Sequence, residues 1–246
     1  MSNWTERTLL LVGEGNFETL KNAHVLVVGL GGVGAYAAEM ICRAGVGEMT
    51  IVDADVVMPS NRNRQLPALT STHGLLKANV MGDRLLDINP NLKLHVVAKY
   101  IKEEETDQVL DSAKFDFVVD CIDTLAPKVN LIKKTLERKI PLVSSMGAGA
   151  KTDPSKVEVK DISKSHHCPL AHMLRKRLSK QGIKKGFQVV FSSEITRPEA
   201  VILVENEQNK KTTVGTISYM PPIFGCFCAS VAIRTLLGEV EVKKEG

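Results

Sequence analysis

His24-Val25-Leu26-Val27-Val28-Gly29-Leu30-Gly31-Gly32-Val33-Gly34 reads as a buried strand that runs straight into a glycine turn. An unbroken apolar, β-branched run bounded by glycines suits a strand covered on both faces. Gly29, Gly31, Gly32 and Gly34 permit a tight turn, close approach of backbone to phosphate, and close packing of the next helix on the strand. That helix is predicted from Gly32 to Arg43, and its N-terminal N–H groups would receive anionic phosphate. The motif specifies a nucleotide or dinucleotide and leaves open which.

Outward from this turn, short apolar runs alternate with amphipathic helical stretches. Strands are predicted at Met49–Val52, Leu94–Ala98, Phe115–Asp120 and Pro141–Ser145. Helices are predicted at His73–Ile88, Glu103–Ser112 and Ala126–Arg138. That rhythm predicts an α/β, Rossmann-like, mostly parallel doubly wound sheet. Beyond Gly149 the rhythm changes. Val157–Val159, Gln188–Phe191 and Ala200–Val204 read as additional C-terminal strands around a basic helix, Pro169–Lys180, while Lys180–Gly186 and Glu205–Lys211 read as exposed mobile loops. The expectation is one domain over 1–246, with a nucleotide-binding core over 1–150 and a substrate-binding extension over 151–246.

At 246 residues the chain is long enough to build its own core. A net charge of +4 excludes a polybasic chain, but the charge is uneven. Lys151 to Lys185 holds ten Lys/Arg against Asp153, Glu158 and Asp161, either a solvated surface or a landing strip for phosphates. Five irregularly spaced cysteines and no signal peptide point to free thiols in a reducing cytoplasm. No CxxC pair supports a structural zinc. Pro221–Ile233 is nearly uncharged but short of the roughly 20 residues a bilayer requires. It reads as a core helix, with membrane contact disfavoured.

Asp53 ends the second strand, about 20 residues past the glycines, where an acid takes ribose hydroxyls. Taken alone this suggests NAD. Its neighbours in the chain do not. Asp53-Ala54-Asp55 places two carboxylates at a strand end, and Asn61-Arg62-Asn63-Arg64-Gln65 lies in the same loop, with Lys77 on the next helix. Such a concentration of cations and amides suits a triphosphate, whose charge must be neutralised for attack at phosphorus. Asp123, beyond the fourth strand in Asp120-Cys121-Ile122-Asp123, opens on the same sheet edge and offers oxygen ligation to Mg²⁺. Asp120 suits either a site role or a helix cap.

As a set, these motifs resemble the superfamily of ubiquitin-activating enzymes and their bacterial relatives, which adenylate the C-terminal glycine of sulfur-carrier proteins. The resemblance implies ATP as cofactor, Asp53 on ribose, Arg64 and Lys77 on phosphates, and Asp123 near Mg²⁺, with Asn61 matching the motif's asparagine. Asp55 and Gln65 complete the expected ATP-binding set. Arg7, before Thr8-Leu9-Leu10, matches an arginine that reaches a partner subunit's ATP site, which implies a homodimer. A sulfur-transfer protein is a further partner of this kind.

The second half is similar to the tRNA threonylcarbamoyladenosine dehydratase family. The similarity rests on Gly74-Leu75-Leu76-Lys77-Ala78, Ile88-Asn89-Pro90, Gly147-Ala148-Gly149, the Pro169-Leu170-Ala171 helix with Leu174-Arg175-Lys176-Arg177-Leu178, and Phe191-Ser192-Ser193-Glu194. It implies ATP-dependent cyclisation of a threonylcarbamoyl arm on tRNA next to the anticodon, with the basic Lys164–Lys185 region holding tRNA. The alternative is an adenylyltransferase for a ubiquitin-like sulfur carrier. The cyclisation is intramolecular, so no enzyme nucleophile is required. Cys168 follows two histidines that would lower a thiol pKa, yet the family commonly has an acid there, and Cys168 reads as incidental. Cys226 and Cys228 read as core fillers.

Overall fold

In a computed structural model of the chain, residues 4–207 and 210–240 are described. Seven strands form one sheet: β1 (His24–Val28), β2 (Glu48–Val52), β3 (Lys93–Val97), β4 (Phe117–Asp120), β5 (Leu142–Ser145), β6 (Val157–Asp161) and β7 (Gln188–Ser192). Their order is β3-β2-β1-β4-β5-β7-β6, and all neighbours are parallel except β6 and β7. The chain leaves β1 toward β2 and β3, then returns to β4 and moves the other way. That reversal opens a crevice beyond the carboxyl ends of β1 and β4, where ligands of open α/β sheets bind.

The strands alternate their side chains between two cores. Val25 and Val27 pack with Leu20, Ile41, Met81 and Phe224, while Leu26 and Val28 pack with Val118, Leu131, Ile132 and Leu174. The first core is covered by α2 (Glu14–Lys21), α3 (Gly34–Arg43), α4 (Lys77–Ile88) and α8 (Met220–Leu236), with α1 (Glu6–Val12) packed against α2. The second is covered by α5 (Glu103–Leu110), α6 (Leu125–Glu137) and α7 (Pro169–Ser179). Every residue of β1 is buried, as a strand with two covered faces requires. The doubly wound sheet expected from the sequence is therefore present, with β6 and β7 as its C-terminal extension.

Four expectations are corrected. The loop expected at 205–211 is instead mostly strand: β8 (Val201–Glu207) and β9 (Lys210–Val214) form a separate antiparallel hairpin, its tip at 208–209 outside the described residues. The strand expected at Ala200–Val204 thus pairs locally rather than extending the main sheet. The helix expected from His73 begins only at Lys77. Gly74 adopts φ +83°, and Val56 bridges Leu76 in extended geometry, so this segment is held as a loop. Finally, α8 is buried along one face only, although it is apolar almost all round. Phe224 and Cys228 are buried in the first core, whereas Cys226 and Phe227 are exposed, so Cys226 is no core filler. The helices α1 and α2 occupy a stretch for which the sequence pattern suggested no element. Among the described residues no helix is long and apolar enough to cross a membrane.

Candidate active site

Glycines shape the crevice. Gly29 takes φ +89°, and a Cβ there would lie 2.9 Å from the Cys121 carbonyl oxygen. At Gly34 a Cβ would overlap the Gly29 carbonyl oxygen and press on the Cys121 side chain, so α3 can start this close to β1 only without one. Gly31 and Gly32 have another neighbour: the loop carrying Gln65 and Arg64, whose Nε2 and Cγ lie 3.8 and 3.5 Å from their notional Cβ positions. Pro221, at the N-terminus of α8, closes on Gly32 from the other side. Two helix N-termini, α3 and α8, thus meet at the glycine turn, a favourable place for anionic phosphate.

Asp53 extends from the end of β2 across to this turn. Its Oδ2 accepts from Leu30 N at 2.6 Å and its Oδ1 from Asp55 N at 2.8 Å. Burial pushes the Asp53 carboxyl above its ordinary value, against the pull of Lys77 and of those two N–H groups. Lys77, the first residue of α4, is only 5% exposed, and its ammonium pairs with Oδ2 of the exposed Asp55 at 2.8 Å. Arg64 donates to the Ser60 carbonyl at 3.0 Å and to Asn63 Oδ1 at 2.8 Å. Asn61 Oδ1 accepts from Met58 N at 3.0 Å and so shapes the loop from within. Arg62 turns away to Thr70.

Gln65 carries a buried Oε1 with no hydrogen-bond partner among the described residues. A buried amide oxygen left without a donor costs free energy of about 1–3 kcal/mol. The Nε2 of the same side chain lies 3.8 Å from the notional Cβ of Gly31, so the side chain that carries this unsatisfied Oε1 borders the turn, which fits a nucleotide seated there.

Past β4, a group that sequence reasoning took for a site residue or a helix cap has a different task. Asp120 is fully buried; its Oδ2 accepts from Ser144 Oγ at 2.6 Å and pairs with the equally buried Lys128 Nζ at 2.8 Å. Asp120 Oδ1 accepts from Ile122 N at 3.0 Å, while Lys128 Nζ donates to Ile122 O at 2.9 Å. Both backbone polar groups of Ile122 are therefore held by one buried ion pair. The next residue is the exposed Asp123, placed on the same sheet edge as the glycine turn. Lys128 and Ser144 were missed in the sequence, although Lys128 shares a helical face with the buried Leu131, Ile132 and Thr135.

A second buried network lies at the carboxyl ends of β5 and β7. The Lys151 ammonium is enclosed by the carbonyl oxygens of His167, Ser192 and Glu194. The Glu194 carboxylate accepts from the N–H groups of Thr152 and Asp153 at 2.9 and 2.8 Å. Burial raises its pKa, but the Asp153 and Thr152 N–H groups, with the Lys151 charge, outweigh this and hold Glu194 below the usual carboxylate range. Cys168 precedes α7 and is 5% exposed, with its Sγ packed 3.7 Å from the notional Cβ of Gly147. A thiol sealed in this way suits the incidental reading.

Arg7 lies on α1, exposed, together with Leu10 and Leu11 at 80% and 85% exposure. Two surface cavities, of about 630 and 580 Å³, lie at the opposite edge of the sheet around Asp116 and Pro141 and hold none of the residues above.

The comparisons with known proteins agree with this geometry. A model of the ThiF family matches residues 5–246. The tRNA threonylcarbamoyladenosine dehydratase of Bacillus subtilis (strain 168) is 41% identical over 245 residues, which cover 97% of this chain and 96% of that protein. Crystal structures of the E. coli tRNA N6-threonylcarbamoyladenosine dehydratase in complex with ATP and in complex with AMP each match with a TM-score of 0.85 and 35% identity, covering 95% of this chain and 93% of theirs. Fold, glycine turn and near full-length likeness coincide, and the chain belongs to the tRNA threonylcarbamoyladenosine dehydratase family, within the ThiF family.

Proposed function

We propose that the protein binds ATP on the turn Gly29–Gly34 and uses it to cyclise the threonylcarbamoyl arm of a modified adenosine next to the tRNA anticodon. The observation that carries this reading is the buried Lys77 side chain and the Asp53 carboxylate at a glycine turn bordered by Gln65, whose Oε1 is unsatisfied. The relative with bound ATP, similar over 95% of this chain, supports the same nucleotide. Asp53 holds the ribose, with Asn61, Asp55 and Gln65 around it, and Arg64 and Lys77 neutralise phosphate charge. Asp123 offers a carboxylate to Mg²⁺, an ion that commonly binds through one or two carboxylates plus phosphates.

The chemistry follows from the leaving group. A carboxylate oxygen does not depart unaided. Attack of the arm's carboxylate on the α-phosphorus forms an acyl–phosphate bond and breaks the bond to pyrophosphate. The arm's carbamoyl group then closes on the acyl carbon, loses a proton and expels AMP, so the nucleoside is one water lighter. Positioning supplies much of the rate of this intramolecular step.

The chain acts as one adenylation unit, with 1–150 as nucleotide core and 151–246 as substrate-binding extension, in the cytoplasm. Exposed Leu10 and Leu11 on α1, beside Arg7, support a homodimer in which Arg7 reaches the partner subunit's ATP site. The basic helix α7, which carries Arg175, Lys176 and Arg177, supports tRNA contact. ATP–pyrophosphate exchange tests the reading. Stimulation by threonylcarbamoyl-bearing tRNA, abolished in Asp123→Ala, is the expected result. Stimulation by a Gly-Gly-ending carrier protein and not by tRNA would favour the adenylyltransferase instead.

A further inference from the structure

At the far edge of the sheet, three neighbouring strands bring two imidazoles and a carboxylate together. His24 opens β1 opposite Glu48 of β2, and Thr50 lies opposite His95 of β3, so His24, Glu48 and His95 project from one face. Glu48 Oε1 lies 2.9 Å from His95 Nε2 and 3.4 Å from His24 Nδ1, and all three ligating atoms fall within 4.8 Å of one another. Ligands of a tetrahedral zinc ion at its usual bond lengths sit roughly 3.3 Å apart. His24 also has the orienting contact that metal-binding histidines use. Its Nε2 lies 2.9 Å from Oγ1 of the buried Thr50, and with Nε2–H donating there, Nδ1 turns its lone pair toward Glu48 and His95. Phe115 packs against the His24 ring at 4.6 Å and fixes its plane.

We propose that His24, Glu48 and His95 form a binding site for a divalent transition-metal ion such as Zn²⁺, with water completing its coordination. Lys93 Nζ pairs with Glu48 Oε1 at 2.9 Å and must withdraw; at 67% side-chain exposure it has solvent to move into. The site lies about five strand residues, roughly 16 Å, from the glycine turn. It therefore ties β1, β2 and β3 together and takes no part in adenylation.

Equilibrium dialysis of the full chain against Zn²⁺, with metal analysis, and Co²⁺ absorption spectra test this. About one ion per chain is expected, with a Co²⁺ spectrum lacking the near-ultraviolet charge-transfer band of a thiolate ligand. Binding should weaken about tenfold or more in His95→Gln and Glu48→Gln. Lys93→Met, which removes no ligand, should tighten it up to about fivefold, the factor corresponding to an exposed ion pair. No retained ion, a thiolate band, or binding unchanged in His95→Gln and Lys93→Met would overturn the proposal.

Discussion

Lys128→Met should be among the most damaging single substitutions in this chain, although Lys128 touches no substrate. Lys128 and Asp120 are both fully buried, so the substitution leaves a carboxylate sealed in the core with Ser144 and the Ile122 N–H as its remaining partners. Breaking a buried pair by removing one partner typically costs about 3–5 kcal/mol. For a domain of this size that corresponds to a fall of about 6–20 °C in Tm. The Ile122 carbonyl also loses its donor, which loosens the turn that places Asp123. Two assays separate the effects: urea unfolding reads the stability, and ATP titration below the new Tm reads the turn. Asp120→Asn in the Lys128→Met background removes the stranded charge and should recover part of the stability but not the ATP affinity. A loss below about 1 kcal/mol for Lys128→Met, the value of an exposed pair, would refute the argument that this pair is sealed from water.

Other perturbations probe the same geometry. Gly34→Ala puts a methyl group against the Gly29 carbonyl, so α3 must shift; ATP binding should fall by at least about tenfold in calorimetry, with a stability loss of about 1–3 kcal/mol in urea. Glu194 has a folded-state pKa below its ordinary 4.5, so its contribution is fully present above that pH and lost as pH falls through the folded value. The stability gap between wild type and Glu194→Gln should therefore be constant near neutrality and close in acid, as followed by urea unfolding across a pH series. Reversing Arg175, Lys176 and Arg177 to Glu should weaken tRNA binding and flatten its salt dependence, each lost phosphate contact lowering the log–log slope by about 0.7–0.9.

The readable parts of the molecule were those set by local constraints. Gly29 and Gly34 announce themselves because backbone meets backbone there, and Asp53 follows at a distance fixed by one strand–helix–strand unit. Asp120 was visible but misjudged, since its partner Lys128 looks like any helix-surface lysine until its helical face is seen to hold only buried residues. Lys151 and Glu194 escaped for a similar reason. The Lys151 ammonium meets carbonyls of His167, Ser192 and Glu194, and the Glu194 carboxylate meets the N–H groups of Thr152 and Asp153, backbone groups brought together only by the fold. The β8–β9 hairpin was half legible: the apolar Val201–Val204 run reads as a strand, whereas the polar end of β8 and the Lys-Lys-Thr-Thr start of β9 read as loop, so the local pairing was hidden.

The central claim is that ATP is consumed to activate a carboxylate on tRNA. Incubating the protein with ATP and threonylcarbamoyl-bearing tRNA, then measuring nucleosides by mass spectrometry and AMP by chromatography, tests it directly. A nucleoside one water lighter is expected, with AMP formed in equal amount. An unchanged nucleoside, or AMP released only in the presence of a Gly-Gly-ending carrier protein, would contradict it.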